Sequence, residues 1–275
     1  MIILWLNQFS HWQLAFLLVF VFVAISVGLT WLSNRIISPR FSGIHSQVAL
    51  YTGASGTVYG LLLALIAGNA WGNLASVNAV VSQEAYSVGN LYRNLEGYPA
   101  SLRKDIRQQL RDYVDIVVKE EWPALQQGRK ATAARPVLDR IFQSVTTFKP
   151  STMGEMAVQS AVLSTLNAIA LTHRQREGSA GQRVMPVMWV VVCVAAFVVM
   201  ALMSLTTTGY AKMDYLLAGG YGAIIGLVIF LIISLDHPFV GESNVSPGAF
   251  LEVLGLMDHL DAIAPSAASP SKLSH

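Results

Sequence analysis

Four long apolar stretches constrain this chain more than any other feature of its sequence: residues 14–32, 48–71, 184–205 and 215–235. Crossing the roughly 30 Å hydrocarbon interior of a bilayer takes about 20 predominantly apolar residues of helix. Each of the four is long enough, and none contains an Asp, Glu, Lys or Arg. In lipid, every backbone N–H and C=O must find its partner within the protein, so such stretches cross as helices. Charges inside a span usually mark ion or proton pathways, and their absence here argues against a proton-coupled pump. Charged residues make up 12% of the chain, about half of the roughly 25% of soluble domains. That argues against an ordinary soluble enzyme and against a disordered chain. A net charge of +2 is too weak to imply a nucleic-acid partner. The lone Cys193 excludes an intramolecular disulfide and a cysteine zinc cluster.

The first stretch reads as a retained span rather than a cleaved leader. No basic residue precedes Arg35, the apolar run is long, and no A-x-A site follows it. The layout is then two spans in 1–72, an insert over 73–183, two spans in 184–236, and a C-terminal segment with a flexible tail over 237–275. The insert differs in character, since 14 of the 18 basic residues lie between Arg93 and Arg183. After Pro99, Leu102, Ile106, Leu110, Tyr113 and Val117 recur at helical spacing. Gly128 and Pro136 interrupt, and Val137, Leu138, Ile141, Phe142 and Val145 form a second stripe that Pro150 ends. Thr152-Met153-Gly154-Glu155 is a capping box, opening a helix that runs to about Arg176. No segment alternates with period two, so the fold class is all-α: a polytopic membrane protein with four spanning helices and a helical insert. Four spans put both termini and the insert on one side. Arg174, Arg176 and Arg183 near the span ends, against Arg35, Arg40 and Lys212, leave the basic-residue bias close. The insert is assigned to the cytoplasm.

The second span carries most of the functional information. Every fourth residue is small: Thr52, Gly56, Gly60, Ala64, Gly68, Gly72 and Ser76. A small-xxx-small ridge lets helix backbones approach closely in lipid. The fourth span has a shorter version, Ala218, Gly222 and Gly226, whereas the first and third are bulky, with Phe16, Phe20, Phe22, Trp189 and Phe197. Spans two and four are therefore expected inside, with one and three facing lipid. Opposite the ridge lie Ser55, Tyr59, Leu62, Ile66, Asn69 and Asn73, spaced 4, 3, 4, 3, 4. Polar at its ends and apolar in its middle, this stripe suits a pore lining with a hydrophobic constriction. It equally suits a seam packed against another helix, and these residues alone leave both readings open.

The search for catalytic chemistry is unproductive. The six histidines, His11, His45, His173, His237, His259 and His275, make no metal-ligand spacing, and neither a G-x-S-x-G elbow nor a P-loop occurs. His173, beside Arg174 and Arg176, reads as a solvated helix end. Glu120 and Glu121 read as the end of a helix, and the basic run Arg103–Arg111, interleaved with Asp105 and Asp112, as a solvated face. Cys193 reads as inert packing. No cofactor, no metal site and no enzyme activity are assigned.

Two segments carry a resemblance. One is Tyr59-Gly60-Leu61-Leu62-Leu63-Ala64-Leu65-Ile66 with Asn69-Ala70-Trp71, Val81, Glu84-Ala85 and Leu91-Tyr92-Arg93. The other is Leu235-Asp236-His237-Pro238-Phe239-Val240-Gly241 with Val245-Ser246-Pro247 and Phe250. With Tyr113 and Glu121-Trp122-Pro123, over roughly residues 50–255, they resemble the bacterial bestrophin-like membrane proteins, distantly similar to the bestrophins, which are oligomeric anion channels. The resemblance implies a pore lined by the second span and narrowed by apolar side chains, here Tyr59, Leu62 and Ile66. It implies a segment at the pore mouth, Asp236, Pro238 and Phe239. It also implies a homo-oligomeric ring in a bacterial inner membrane that passes small inorganic ions, with lipid and its own copies as partners. Val240 separates Phe239 from Gly241, and the acidic run that binds calcium in the animal proteins is missing, so no calcium ligands carry over. Ala75, Ser76 and Val77 replace the aromatic-basic cluster that usually follows the second span in bestrophins. The alternatives are a non-conducting scaffold or sensor whose insert binds a partner, and a cation-selective channel.

Overall fold

The computed structural model describes residues 11–36, 45–179, 181, 184–206, 208, 210–240 and 245–263. Arg40, Arg183, Gly241, Glu242 and the tail from residue 264 lie outside the described residues, as do the side chains of His11 and His45. The regular elements described are all helical. They are α1 (His11–Ile36), α2 (His45–Asn94), α3 (Ala100–Ile116), α4 (Trp122–Gln126), α5 (Arg135–Thr147), α6 (Met153–Ser179), α7 (Pro186–Ser204), α8 (Ala211–Leu235) and α9 (Gly248–Ile263). Four of them, α1, α2, α7 and α8, are long and apolar enough to cross a membrane. Proline at the first turn starts α7 two residues later than the hydropathy suggests. α2 runs for 50 residues, about 75 Å at 1.5 Å per residue, and so far outlasts its apolar stretch. The chain divides into two compact units: 1–74 with 183–237 and 241–244, and 75–182 with 238–240 and 245–275.

In the first unit the closest helix pair is α1 with α8, and its cause is glycine. A Cβ on Gly222 would stand 2.6 Å from the carbonyl oxygen of Phe22, and one on Gly226 would stand 2.8 Å from the Cα of Val19. Ser26 Oγ donates across this contact to the carbonyl of Ala218 at 2.8 Å. The small residues of the fourth span are thus used, as the spacing suggests. The first span does not simply face lipid, however: its Ser26, Thr30 and Ser33 are buried.

The ridge of α2 behaves differently. Four residues turn a helix about 40° past a full turn, so a line of every fourth residue slides around the helix. From Thr52 to Ser76 it travels about 240°. Thr52 is buried and donates to the carbonyl of Leu202 at 3.2 Å. A Cβ on Gly56 would touch the hydroxyl of Tyr221 at 3.4 Å, while one on Gly60, Gly68 or Gly72 would meet nothing within 4 Å among the described residues beyond its own helix. Seven small residues in one line of sequence therefore do not make one packing face within the protomer.

In the second unit the expected amphipathic helices form. The capping box closes reciprocally: Glu155 N donates to Thr152 Oγ1 at 3.1 Å, and Thr152 N to Glu155 Oε2 at 3.3 Å. α6 then runs on to Ser179, past the expected end. Pro136 does not merely interrupt; it sits in the first turn of α5. Gly128, at φ 68°, supplies the left-handed residue after α4. The basic run on α3 is more than a solvated face. Arg107 bridges Glu96 at 2.5 Å and Asp261 at 3.3 Å, and Arg111 bridges Asp258 at 2.7 Å and Asp261 at 2.8 Å. Tyr92 adds a hydrogen bond to Asp261 at 2.5 Å. These bonds hold the last helix, α9, against α2 and α3.

Two outcomes follow. Gly226→Ala should overpack the α1–α8 contact and cost about 1–3 kcal/mol, read as a lowered thermal midpoint in detergent, whereas Gly68→Ala should leave the isolated protomer's stability unchanged. Partial burial pushes the Asp261 carboxyl up, but hydrogen bonds from Tyr92 and Arg111 outweigh it and hold its pKa below the ordinary value. Its contribution is therefore present above about pH 4 and lost as pH falls through the lowered folded value. The protection of α9 amides against hydrogen exchange, taken relative to the intrinsic rate at each pH, should fall on acidification, and in Asp261→Asn it should already be low at neutral pH.

Candidate functional site

Within the first unit α2 has two unlike faces. Tyr59, Leu63 and Ile66 are buried in an apolar cluster with Val192, Ala196, Val199 and Met200 of α7 and Ile225, Ile229 and Ile232 of α8. Leu62 is half-buried against the same cluster. Of the rest of the predicted stripe, Ser55 and Asn73 are half-buried and Asn69 is exposed. In the single chain, Tyr59 at 4% and Ile66 at 6% exposure thus take the seam arrangement, because their side chains already fill the protomer's own core. The face turned away from that core presents Thr57, Leu61, Ala64, Leu65, Gly68 and Gly72, all exposed. The ridge residues Gly60, Ala64, Gly68 and Gly72 belong to this open side, and Gly56 to its half-buried edge.

The segment after the fourth span is built into its surroundings. Asp236 is buried and accepts a hydrogen bond from Val184 N at 2.6 Å, just ahead of α7. Pro238 is buried, and its carbonyl accepts from Val245 N at 2.8 Å. Phe239 is 2% exposed and meets Trp122 edge-on, with ring centroids 5.6 Å apart at 84°.

The second unit contains a buried ionic centre that the sequence search passed over. Arg176 of α6 forks onto Glu84 of α2 at 2.8 and 3.1 Å and reaches Glu121 at 2.7 Å. The other oxygen of Glu121 accepts from Ala134 N at 2.9 Å. Tyr113 of α3 donates to Glu84, and His173 Nδ1 stands 3.1 Å from the Tyr113 hydroxyl and 3.0 Å from Arg176 Nη2. All five residues are at most 1% exposed. Burial, reinforced by Glu84, pushes the Tyr113 phenol far above its ordinary pKa. For Arg176 burial opposes the charge, but Glu84 and Glu121 outweigh it and raise its pKa. His173 is therefore not a solvated helix end, and Glu120 and Glu121 do not end a helix, since the turn that holds them runs directly into α4. Glu121 turns into the core at the end of a π-helical turn, Val117–Glu121, which re-aims one residue relative to an α-helix.

A signal for this centre was present. Glu84 stands on the stripe Val77, Val81, Glu84, Val88, Leu91, Leu95, and Arg176 on Val162, Leu166, Ile169, His173, Arg176. A charge on an apolar stripe of a helix has to be paired when the stripe is buried. Arg176→Met should strand two buried carboxylates and cost about 3–5 kcal/mol, read by chemical denaturation. Arg176→Lys should recover only part of that, because an ammonium cannot fork. Breaking the exposed Lys119–Asp115 pair should cost under about 1 kcal/mol.

The arrangement has known counterparts. The family model of the bestrophin-like domain matches residues 20–250. Crystal structures of a bacterial bestrophin homolog from Klebsiella pneumoniae share the fold. One point variant superposes with a TM-score of 0.67 at 12% identity, covering 90% of this chain and 98% of that one. Another reaches 0.69 at 12% identity, covering 87% and 99%. The structure of the homolog phased on zinc gives 0.66 at 13% identity, covering 87% and 98%. No curated protein matches by sequence. With the family model matched over most of its length and four helices able to cross a bilayer, the chain belongs to the bestrophin-like family of membrane proteins.

Proposed function

We propose that this protein is an ion channel of the bestrophin type, in which several copies form a closed ring and each contributes α2 to a central pore. The observation that carries the reading is the open face of α2. A Cβ on Gly60, Gly68 or Gly72 would meet no described residue beyond its own helix within 4 Å, although small residues at this spacing exist to let helices meet. One lining helix per copy calls for cyclic symmetry. Gly60, Ala64 and Gly68 then seat α2 of the next copy. Leu61 and Leu65, about 100° further round the helix at each step, form the apolar ring that narrows the pore. Thr57 lies on one side of that ring and Gly72 on the other. In this reading Tyr59, Leu62 and Ile66 back the pore helix instead of lining it, Ser55, Asn69 and Asn73 flank it, and Asp236, Pro238 and Phe239 brace the cytoplasmic mouth. The ions are small inorganic anions. The membrane is a bacterial inner membrane, with both termini and the helical insert in the cytoplasm. The protein acts as a conductor rather than a catalyst.

The test is single-channel recording from verified oligomers in planar bilayers under a KCl gradient. Leu65→Ser should wet the ring and raise conductance. Ile66→Ser should lower the thermal midpoint without raising conductance. The reverse ordering would return the lining to Tyr59, Leu62 and Ile66. Silent bilayers from intact wild-type oligomers would favour a non-conducting scaffold, and a reversal potential of cationic sign would overturn the anion assignment.

A further inference from the structure

Between α5 and α6 lies a cavity of about 210 Å³ that neither the buried centre nor the pore reading uses. Its walls carry three kinds of group. Leu138, Phe142 and Ala170 make an apolar surface, Leu138 buried and the other two half-buried. Arg135, Asp139 and Arg174 bring charge to the same space. Arg135 is committed to Glu177, which it contacts through two nitrogens. Arg174 and Asp139 are exposed and form no ion pair or hydrogen bond with any described residue, although Asp139 lies near enough to Arg135 for its charge to act on that guanidinium. The third group is His173, whose ring forms part of the wall while its Nδ1 faces the ionic centre. Its Nε2 and Glu177 Oε1 stand 3.5 Å apart, and both are buried without a hydrogen bond.

The cavity thus offers one uncommitted guanidinium, one uncommitted carboxylate and an apolar patch. Inorganic phosphate would meet the Asp139 carboxylate with like charge. A plain hydrocarbon would use the apolar patch alone and make no contact with the charges of Arg174 and Asp139. A zwitterion matches the set: its carboxylate to Arg174, its ammonium to Asp139, its side chain on Leu138, Phe142 and Ala170. The volume lies below the roughly 300–1,000 Å³ of pockets that hold drug-sized ligands, which limits the guest to a few heavy atoms beyond its charged groups. We propose that the α5–α6 cavity binds a small α-amino acid with an apolar side chain, held by Arg174 and Asp139. The proposal stands on the second unit alone and does not depend on ion conduction.

Isothermal titration of the full-length protein in detergent tests it, with leucine as the probe. Saturable binding of leucine is expected. 4-Methylpentanoate, which lacks the ammonium, and 3-methylbutylamine, which lacks the carboxylate, should each bind at least about tenfold more weakly, as should leucine to Arg174→Gln and to Asp139→Asn, the loss of one hydrogen bond to a charged group. Arg140→Gln, on α5 but not on the cavity wall, should bind leucine as the wild type does. No saturable binding of leucine would overturn the proposal. So would binding of phosphate or of 4-methylpentanoate as tight as that of leucine, or leucine binding unchanged in Arg174→Gln.

Discussion

The fork of Arg176 is the contact on which the second unit depends. One guanidinium takes both oxygens of Glu84 and one of Glu121, and so ties α6 to α2 and to the π turn after α3. Tyr113 and His173 complete the shell. Two buried carboxylates around one arginine are tolerable because each of their four oxygens accepts at least one hydrogen bond, as Ala134 N shows at Glu121. Such a centre adds less net stability than its bonds suggest, since the charges had to leave water. It adds specificity: a helix displaced by one turn would bury an unpaired charge.

The long helix α2 carries two kinds of environment on one rod. In its first part a buried face of Tyr59, Leu63 and Ile66 meets α7 and α8, and an opposite face of small and aliphatic residues stays open. In its second part the buried face continues through Val81, Glu84 and Val88, while Gln83, Tyr86 and Asn90 are exposed. No proline divides the two, so the helix has no reason to break where the apolar stretch ends.

Much of this architecture was legible in the sequence because length and polarity act locally. The four spans, the capping box at Thr152–Glu155 and the stripe through Ile106, Leu110 and Tyr113 need no knowledge of partners. The orientation of α2 was not legible. Both of its faces are apolar or small in the span, so hydrophobicity does not distinguish core from open surface, and the i,i+4 line of small residues crosses from one to the other. The ionic centre was hidden differently. Glu84 and Arg176 lie 92 residues apart, and sequence neighbours made His173 look solvated. Only their register on otherwise apolar stripes betrayed them.

The α1–α8 contact has a consequence for assembly in the bilayer. Ser26 and Ala218 are separated by 192 residues, so this close helix pair joins the first of the four described spans to the fourth. A chain inserted from the N-terminus holds α1 in lipid, its Ser26 hydroxyl without its partner at Ala218, until α8 arrives. The membrane unit is therefore closed by a clasp that only α8 can fasten. A nascent chain stalled before Gly222 would present an open polar seam to lipid, the kind of surface that membrane quality control can recognise.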